Sequence, residues 1–290
     1  MNDKNMTALV SVFVRCYHDK NSNIKIYHDP YVQKIIKKEE YENILNNMSD
    51  GIKFFNPKFK GTKEEAIKWI VNKQIGPSVL GRSAFNKRSL DIAIKLGCKQ
   101  YLNYASGYDT STINKKIKCF EIDKDDMIED KIKRLDNIDT NNIEFIKTNF
   151  TSNTWFKNIL NSSYDKNSIS FNSLLGISYY LSKKEFNNML KHIANNICLG
   201  SSILFDYQTD DLSKETTINE LLAKEASEDM KSKYNYYEIE EILVNNNLKI
   251  YEYLNDKDIT NEFFYDYNTL NPNNKIIAPT GVAYILAVKK

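Results

Sequence analysis

From about residue 90 to residue 210, the spacing of apolar positions switches repeatedly between a helical and an alternating period. Leu90, Ala93, Ile94 and Gly97 recur at helical spacing, with Gly97 placed to end the helix. QYLNYAS at 100–106 then reads as a short strand closing in small residues, 109–116 as a short helix, and CFEID at 119–123 as a second strand. Asp125, Asp126 and Glu129 precede Lys131, Lys133 and Arg134, the charge order a helix dipole favours, with Ile128, Ile132 and Leu135 as its buried stripe. IEFIKTN at 143–149 is a third strand, 155–160 a helix, and SISFNSLL at 168–175 a fourth strand.

Ser182-Lys183-Lys184-Glu185 is a capping box, and Phe186, Met189, Leu190, Ile193 and Ile197 follow as the clearest helical stripe in the chain. Gly200 closes that helix and 202–207 is a fifth strand. Two polar-faced helices are expected at 216–233 and 237–247. Two last strands are expected at 248–254 and 281–288, parted by a long polar insertion containing Asn271-Pro272. Ahead of this alternation, 6–17 is mostly apolar, and Thr62-Lys63-Glu64-Glu65 caps a helix carrying Ala66, Ile67, Ile70 and Val71.

A βαβα alternation implies a parallel sheet with helices on both faces. The expected fold is therefore α/β: a Rossmann-like, mostly parallel seven-stranded sheet with an antiparallel closing hairpin and an N-terminal helical extension. One domain is expected over 1–290, divided into a helical cap (1–80), a cofactor-binding core (81–207), a helical lid (208–248) and closing strands (249–290).

The bulk numbers narrow the class. Forty basic against 38 acidic residues leave a net charge of +2 without a clustered basic excess, which argues against a nucleic-acid partner. The longest nearly pure apolar run, 282–288, is far short of the ~20 residues of a membrane span. The polar start carries no secretory pattern, so a cytoplasmic location is expected. Cys16, Cys98, Cys119 and Cys198 lack metal-ligand spacing and read as free thiols, and the three histidines are dispersed, so no metal is expected.

In an open α/β sheet, ligands sit at the carboxyl ends of the strands near the point where strand order reverses. The loop after the first strand is Ala105-Ser106-Gly107-Tyr108-Asp109-Thr110. It has one glycine where a dinucleotide site needs several, and Asp109 stands where a pyrophosphate would sit. That disfavours a nicotinamide dehydrogenase and suits a phosphate-free cofactor bearing a cationic sulfonium and ammonium. The same residues also make an ordinary Asp/Thr cap. At the tip of the second strand, Glu121 and Asp123 point to one face, and the terminal one is the better placed to accept from ribose hydroxyls. A solvated strand end that caps the next helix is the competing reading. Arg82, in Gly81-Arg82-Ser83 before the helix that feeds the first strand, is either a surface residue or a planar fork for a carboxylate.

Together these elements resemble the leucine carboxyl methyltransferase family, including its bacterial branch of polyketide-type O-methyltransferases. The resemblance spans about 6–207. It rests on Thr7-Ala8-Leu9, Asp29-Pro30-Tyr31, Gly81-Arg82-Ser83, the loop at 105–110, Glu121-Ile122-Asp123 and Tyr180-Leu181. It implies S-adenosylmethionine as cofactor and methyl transfer to a carboxylate or hydroxyl of a small molecule.

By the same resemblance, Arg82 holds the methionine carboxylate, and Ala105, Gly107, Asp109 and Thr110 lie around the amino-acid portion. Glu121 or Asp123, or both, hold the ribose. Asn149 and Phe150 fall where the family has Asp-Leu near the adenine; an amide can bond the adenine amino group and Phe can stack. Tyr179 and Tyr180 stand where substrate contacts fall, or else pack beneath the next helix. The chain departs from the family at Ala105 (usually Gly), Ser111 (usually Arg) and Leu175 (usually Glu). These departures motivate a second hypothesis, a non-catalytic module that keeps the fold.

Overall fold

In the computed structural model, seven strands form one sheet: β1 (Gln100–Tyr104), β2 (Lys118–Asp123), β3 (Ile143–Lys147), β4 (Ser170–Leu174), β5 (Ser202–Gln208), β6 (Leu248–Leu254) and β7 (Val282–Lys289). Their order is β3-β2-β1-β4-β5-β7-β6. The first five pair in parallel and β6 pairs antiparallel to β7. Lys289 N–H donates to Ser201 O at 2.8 Å, fastening the end of β7 to the start of β5. Strand order reverses between β1 and β4, so the carboxyl ends of these two strands frame the crevice in which this architecture binds ligands. The structure describes residues 5–152, 154–211 and 229–290, with positions 218, 220, 221 and 224.

The chain forms two compact units. One comprises Met1–Phe85, Asp211–Asp229 and Asp256–Val282; the other comprises Asn86–Asp210, Met230–Asn255 and Ala283–Lys290 and holds the sheet. In the sheet unit, β1 is buried at every position because both its faces are covered. Leu102 and Tyr104 join one core with Phe120, Ile122, Trp155, Phe186, Leu190 and Ile203. Tyr101 and Asn103 take the opposite face, where Asn86 of the preceding helix (Gly76–Lys95) donates to the Tyr101 hydroxyl at 3.0 Å.

In the other unit, Thr62 caps Lys63–Trp69 with both capping-box bonds formed. A π-turn at Ile70–Ile75 leads from it into Gly76–Lys95. A Cβ at Gly76 would lie 2.2 Å from the Val71 carbonyl oxygen, so this junction admits only glycine. Arg15 and Asp29 form a buried ion pair at 3.5 Å, and the first helix, Met6–Asn21, buries His18. Burial lowers the His18 imidazole to about 4.

Several expectations need correction. Residues 109–116 form turns, not a helix: Asp109 binds the amides that would open a helix, and Asn114 is left-handed (φ 57). Arg82 lies inside the helix Gly76–Lys95, not ahead of it, because Pro77 falls in the helix's first turn, where it removes no internal bond. Ile132 is 45% exposed, and Met127 takes its place in the buried stripe of Asp125–Arg134. The helix expected at 216–233 lies largely outside the described residues. Its last stretch, 229–233, is not helical, and Lys231 N–H donates to the Tyr179 carbonyl at 2.6 Å. The polar insertion between β6 and β7 contains two short helices, Asp256–Phe263 and Tyr265–Leu270.

The four cysteines are free thiols, Cys198 half-buried and the rest buried. Among the described residues, no helix is long and apolar enough to cross a membrane, and no group of three His, Cys, Asp or Glu side chains is placed to hold a metal.

Candidate active site at the carboxyl ends of β1, β2 and β3

The loop leaving β1 turns sharply through two left-handed residues, Ala105 (φ 50) and Gly107 (φ 48). Ala105 takes this conformation with a Cβ, at the position where a glycine would carry no strain. The Gly107 amide donates to Asp123 Oδ2 at 2.8 Å, which ties the loop to the tip of β2. Asp123 Oδ1 accepts from the Lys124 amide at 2.8 Å. Asp123 is 8% exposed, and burial raises its carboxyl above the ordinary aspartate value against the pull of those two amides. A carboxylate offers about four acceptor positions, so two amides leave capacity for further donors.

Glu121 is placed differently. It is fully buried, with Oε2 accepting from Lys131 Nζ at 2.7 Å and Oε1 from the Thr112 hydroxyl. Burial raises its carboxyl, and the Lys131 charge pulls the other way. Of the two acids, only Asp123 reaches the strand tip.

Asp109 is held by a ring of buried and half-buried hydrogen bonds beneath the loop. Its Oδ1 accepts from the amides of Thr110 (2.6 Å) and Ser111 (3.0 Å). Its Oδ2 accepts from Ser111 Oγ (2.8 Å) and Asn103 Nδ2 (3.1 Å). Ser173 of β4 donates to Asn103 Oδ1 at 3.1 Å, and the Tyr101 hydroxyl closes the ring at 2.9 Å from both Ser173 and Ser111. Burial holds the Tyr101 phenol far above its ordinary value, so it stays a neutral donor. The chemical consequence is direct: the carboxylate occupies the Thr110 and Ser111 amides, so a phosphate at this loop would find those backbone donors taken.

The turn after β3 adjoins the tip of β2, since Thr148 N–H donates to the Asp123 carbonyl at 2.8 Å. Asn149 is exposed, and its Oδ1 accepts from both the Thr151 amide (3.1 Å) and the Thr151 hydroxyl (2.8 Å). A bond from this amide to an adenine amino group needs an acceptor, and the only acceptor atom is committed to Thr151. Phe150 is half-buried with its ring 5.3 Å from that of Trp155.

On the far side of β1, Tyr179 and Tyr180 form an edge-to-face pair at 4.8 Å in the short turn Ser178–Tyr180, both half-buried. Leu174, the last residue of β4, pairs with Phe205 of β5, and beyond the strand end the buried carboxylate of Asp206 accepts from the Gly176 amide at 2.6 Å. Arg82 belongs to the other unit, where its guanidinium donates to Ser11 Oγ at 3.2 Å. The structure thus brings together Ala105, Gly107, Asp109, Thr110 and Asp123, with Asn149 and Phe150 on the neighbouring strand end.

Tyr101, Asn103, Ser173, Lys131 and Asp206 escaped the sequence reading. Polar residues inside otherwise apolar strands, Asn103 and Ser173 above all, were the available signal.

The sheet order and the phosphate-excluding loop define an α/β fold of the methyltransferase type. Comparison agrees: the model of the leucine carboxyl methyltransferase family matches residues 8–194. The chain belongs to the leucine carboxyl methyltransferase family, whose members transfer methyl groups from S-adenosylmethionine. It is 30% identical over 307 residues, covering 100% of this chain and 99% of the other, to YktD of Bacillus subtilis (strain 168), provisionally named an S-adenosyl-L-methionine-dependent methyltransferase. Two solved structures share the fold at low identity. A DUF574 family protein from Streptomyces avermitilis has TM-score 0.62 and 12% identity, covering 97% of each chain. Magnesium protoporphyrin IX methyltransferase from Synechocystis PCC 6803, solved with bound SAH, has TM-score 0.50 and 12% identity over 86% of this chain and 99% of that one.

Proposed function

We propose that the protein is an S-adenosylmethionine-dependent O-methyltransferase acting on a carboxylate or an acidic hydroxyl of a small molecule. The observation that carries the cofactor assignment is the Gly107–Asp123 bond, which joins the loop of β1 to an acidic strand tip with acceptor capacity to spare. When bound, S-adenosylmethionine supplies an already activated methyl group. The chain's task is to bind, align and exclude water.

Asp123 accepts from the ribose hydroxyls, and Gly107 presents bare backbone to the amino-acid portion. Asp109, Ala105 and Thr110 hold the loop in shape, and Asn149 with Phe150 borders the base. Arg82 takes the cofactor carboxylate, a role that rests on the family resemblance. Tyr179 and Tyr180 border the acceptor.

The choice of an oxygen acceptor rests on the family resemblance. His192, in the helix Lys183–Ala194, is engaged with the rings of Phe156 at 6.3 Å and Trp155 at 6.0 Å. A carboxylate nucleophile needs no imidazole base.

Two of the three departures from the family pattern are absorbed locally, which favours a working site over an inert module. Ala105 keeps the left-handed turn, and Ser111 donates to Asp109.

The test is calorimetric titration of the full chain with S-adenosylhomocysteine. Saturable binding is expected, weakened on the order of 100-fold by Asp123→Ala, the effect of losing charge-assisted hydrogen bonds. No heat at millimolar ligand would leave the non-catalytic module as the better description.

A further inference from the structure

Four of the chain's helix-to-strand turns pass through a left-handed residue. These are Gly97 (φ 100) ahead of β1, Asn137 (φ 66) ahead of β3, Gly200 (φ 83) ahead of β5 and Asn247 (φ 55) ahead of β6. In two of the turns the preceding residue is polar, Asp136 and Asn246. In the other two it is leucine, and Leu96 is 78% exposed and Leu199 69% exposed. The turn itself therefore calls for no apolar residue, and these leucines add nothing to the core.

A lone exposed leucine is ordinary on a protein surface. These two are not alone. β1 and β5 flank β4 in the sheet, and Ile169, one residue ahead of β4, is exposed between them. Lys99 N–H donates to Ile169 O at 2.9 Å, and Ser170 N–H donates to Ser201 Oγ at 3.0 Å, so the three turns are tied together. Their aliphatic tips follow one another at about the strand spacing of 4.8 Å. They lie at the amino ends of the strands, the end of the sheet away from Gly107 and Asp123.

Lysines accompany them. Lys95, Lys99, Lys166 and Lys191 are all exposed, and none is ion-paired among the described residues. Lys95 and Lys191 end helices, where a cation suits the dipole. Lys99 and Lys166 lie outside any helix and have no such role. Asp165 is the one acidic side chain of 95–99, 165–169 and 198–201. Its oxygens are taken locally, by the Asn167 amide at 3.0 Å and the Ser168 hydroxyl at 2.6 Å.

We propose that this rim docks on an anionic phospholipid surface, the protein sitting there peripherally. A second copy fits poorly, because two such rims repel one another. A different protein fits poorly on two counts: Lys is depleted from protein interfaces, and aliphatic tips on separate turns supply no packed aromatic or Arg anchor. A lipid surface needs neither. Leu96, Ile169 and Leu199 enter the headgroup boundary, and the lysine stems lie along it with their ammonium groups at the phosphates. The inference stands apart from the cofactor assignment.

Co-sedimentation of the full chain with vesicles tests it. Binding is expected to vesicles of phosphatidylglycerol and phosphatidylcholine in equal parts, not to phosphatidylcholine alone, and should weaken as salt is raised. The double variant Lys99→Glu, Lys166→Glu should bind about 25-fold more weakly or worse, each lysine beside an anionic surface being worth about fivefold. The double variant Leu96→Ser, Leu199→Ser should lose about tenfold and keep the salt dependence. Both should retain the wild-type melting temperature and affinity for S-adenosylhomocysteine, because the substituted side chains are exposed and remote from the strand tips.

No sedimentation with the mixed vesicles overturns the inference, as does a leucine variant that binds them as the wild type does. Retention by polyglutamate without vesicle binding overturns it in favour of an acidic polypeptide. A wild-type dimer that ignores vesicles, and that the leucine variant no longer forms in light scattering, overturns it in favour of a second copy.

Discussion

Glu121 and Asp123 stand two residues apart on one face of β2, the first inside the strand and the second at its tip. Both are carboxylates, both are largely buried, and burial raises both carboxyls above their ordinary values. They differ in what satisfies them. Glu121 is closed off by a side-chain cation and a hydroxyl, Lys131 and Thr112, each from an element packed onto the strand. Asp123 is held by two backbone amides, Gly107 and Lys124, which orient it and leave its remaining lone pairs open. An acid partnered by side chains is part of the scaffold; an acid oriented by backbone is poised for a ligand. Asp109, filled by two amides, a hydroxyl and an amide NH2, falls on the scaffold side of that line.

The largest effect that can break this comparison is the removal of the Glu121 partner. Lys131→Met leaves an unpaired carboxylate in the interior and should cost about 3–5 kcal/mol of stability at neutral pH by chemical denaturation. Adding Glu121→Leu should restore most of it. The pH dependence has a definite sign. With a folded-state acid raised above its unfolded value, the folded chain binds protons more tightly, so the loss should be smaller at pH 5 than at pH 8. Affinity for S-adenosylhomocysteine should be unchanged in molecules that remain folded. A tenfold weakening would place Glu121 in the ligand site after all.

The next effect concerns the tip. Because burial raises the Asp123 carboxyl above 3.8, its charge is lost at a higher pH than that of an exposed aspartate. Affinity for S-adenosylhomocysteine should therefore begin to fall, as the pH is lowered, before that value is reached. Asp123→Asn should bind more weakly at pH 7 and lose this part of the pH dependence. Calorimetry across the pH series checks both. A wild-type curve that follows the variant would show that Asp123 does not touch the ligand.

Much of the sheet was legible from alternation alone. Strand β6 and the helix Trp155–Leu160 fall where the pattern placed them, and the capping boxes at Thr62 and Ser182 form as written. The tie between Gly107 and Asp123 was legible only as a proximity, since a strand tip and a loop two elements apart meet through sheet order.

What stayed hidden shares one cause. Lys131 reads in sequence as a cation suited to a helix C-terminus, and only the packing of its helix on β2 reveals the buried pair. The stretch 109–116 has helix-compatible residues, but the Asp109 side chain competes successfully for the first amides. The direction of Asn149 was hidden for the same reason, although an Asn two residues before a Thr is the spacing of such a turn.

The smallest effect sharpens the comparison from the loop that Asp123 braces. Ala105 holds φ 50, and a left-handed alanine costs about 1–2 kcal/mol relative to a glycine. Ala105→Gly removes that strain but enlarges the unfolded ensemble, which costs about 0.4–1 kcal/mol. It also deletes a methyl that packs against the core. The balance should be a stabilisation of a few tenths of a kcal/mol, near the limit of a melting experiment on a chain of this size. Ala105→Val supplies the contrast, because a β-branched residue is excluded from this conformation and should destabilise the loop by well over 1 kcal/mol. Since Gly107 is anchored to Asp123 independently of residue 105, Ala105→Gly should leave ligand affinity as it is. If affinity instead rose severalfold, the strain at Ala105 would be opposing the bound geometry, and the backbone brace at Asp123 would not be sufficient to set the loop.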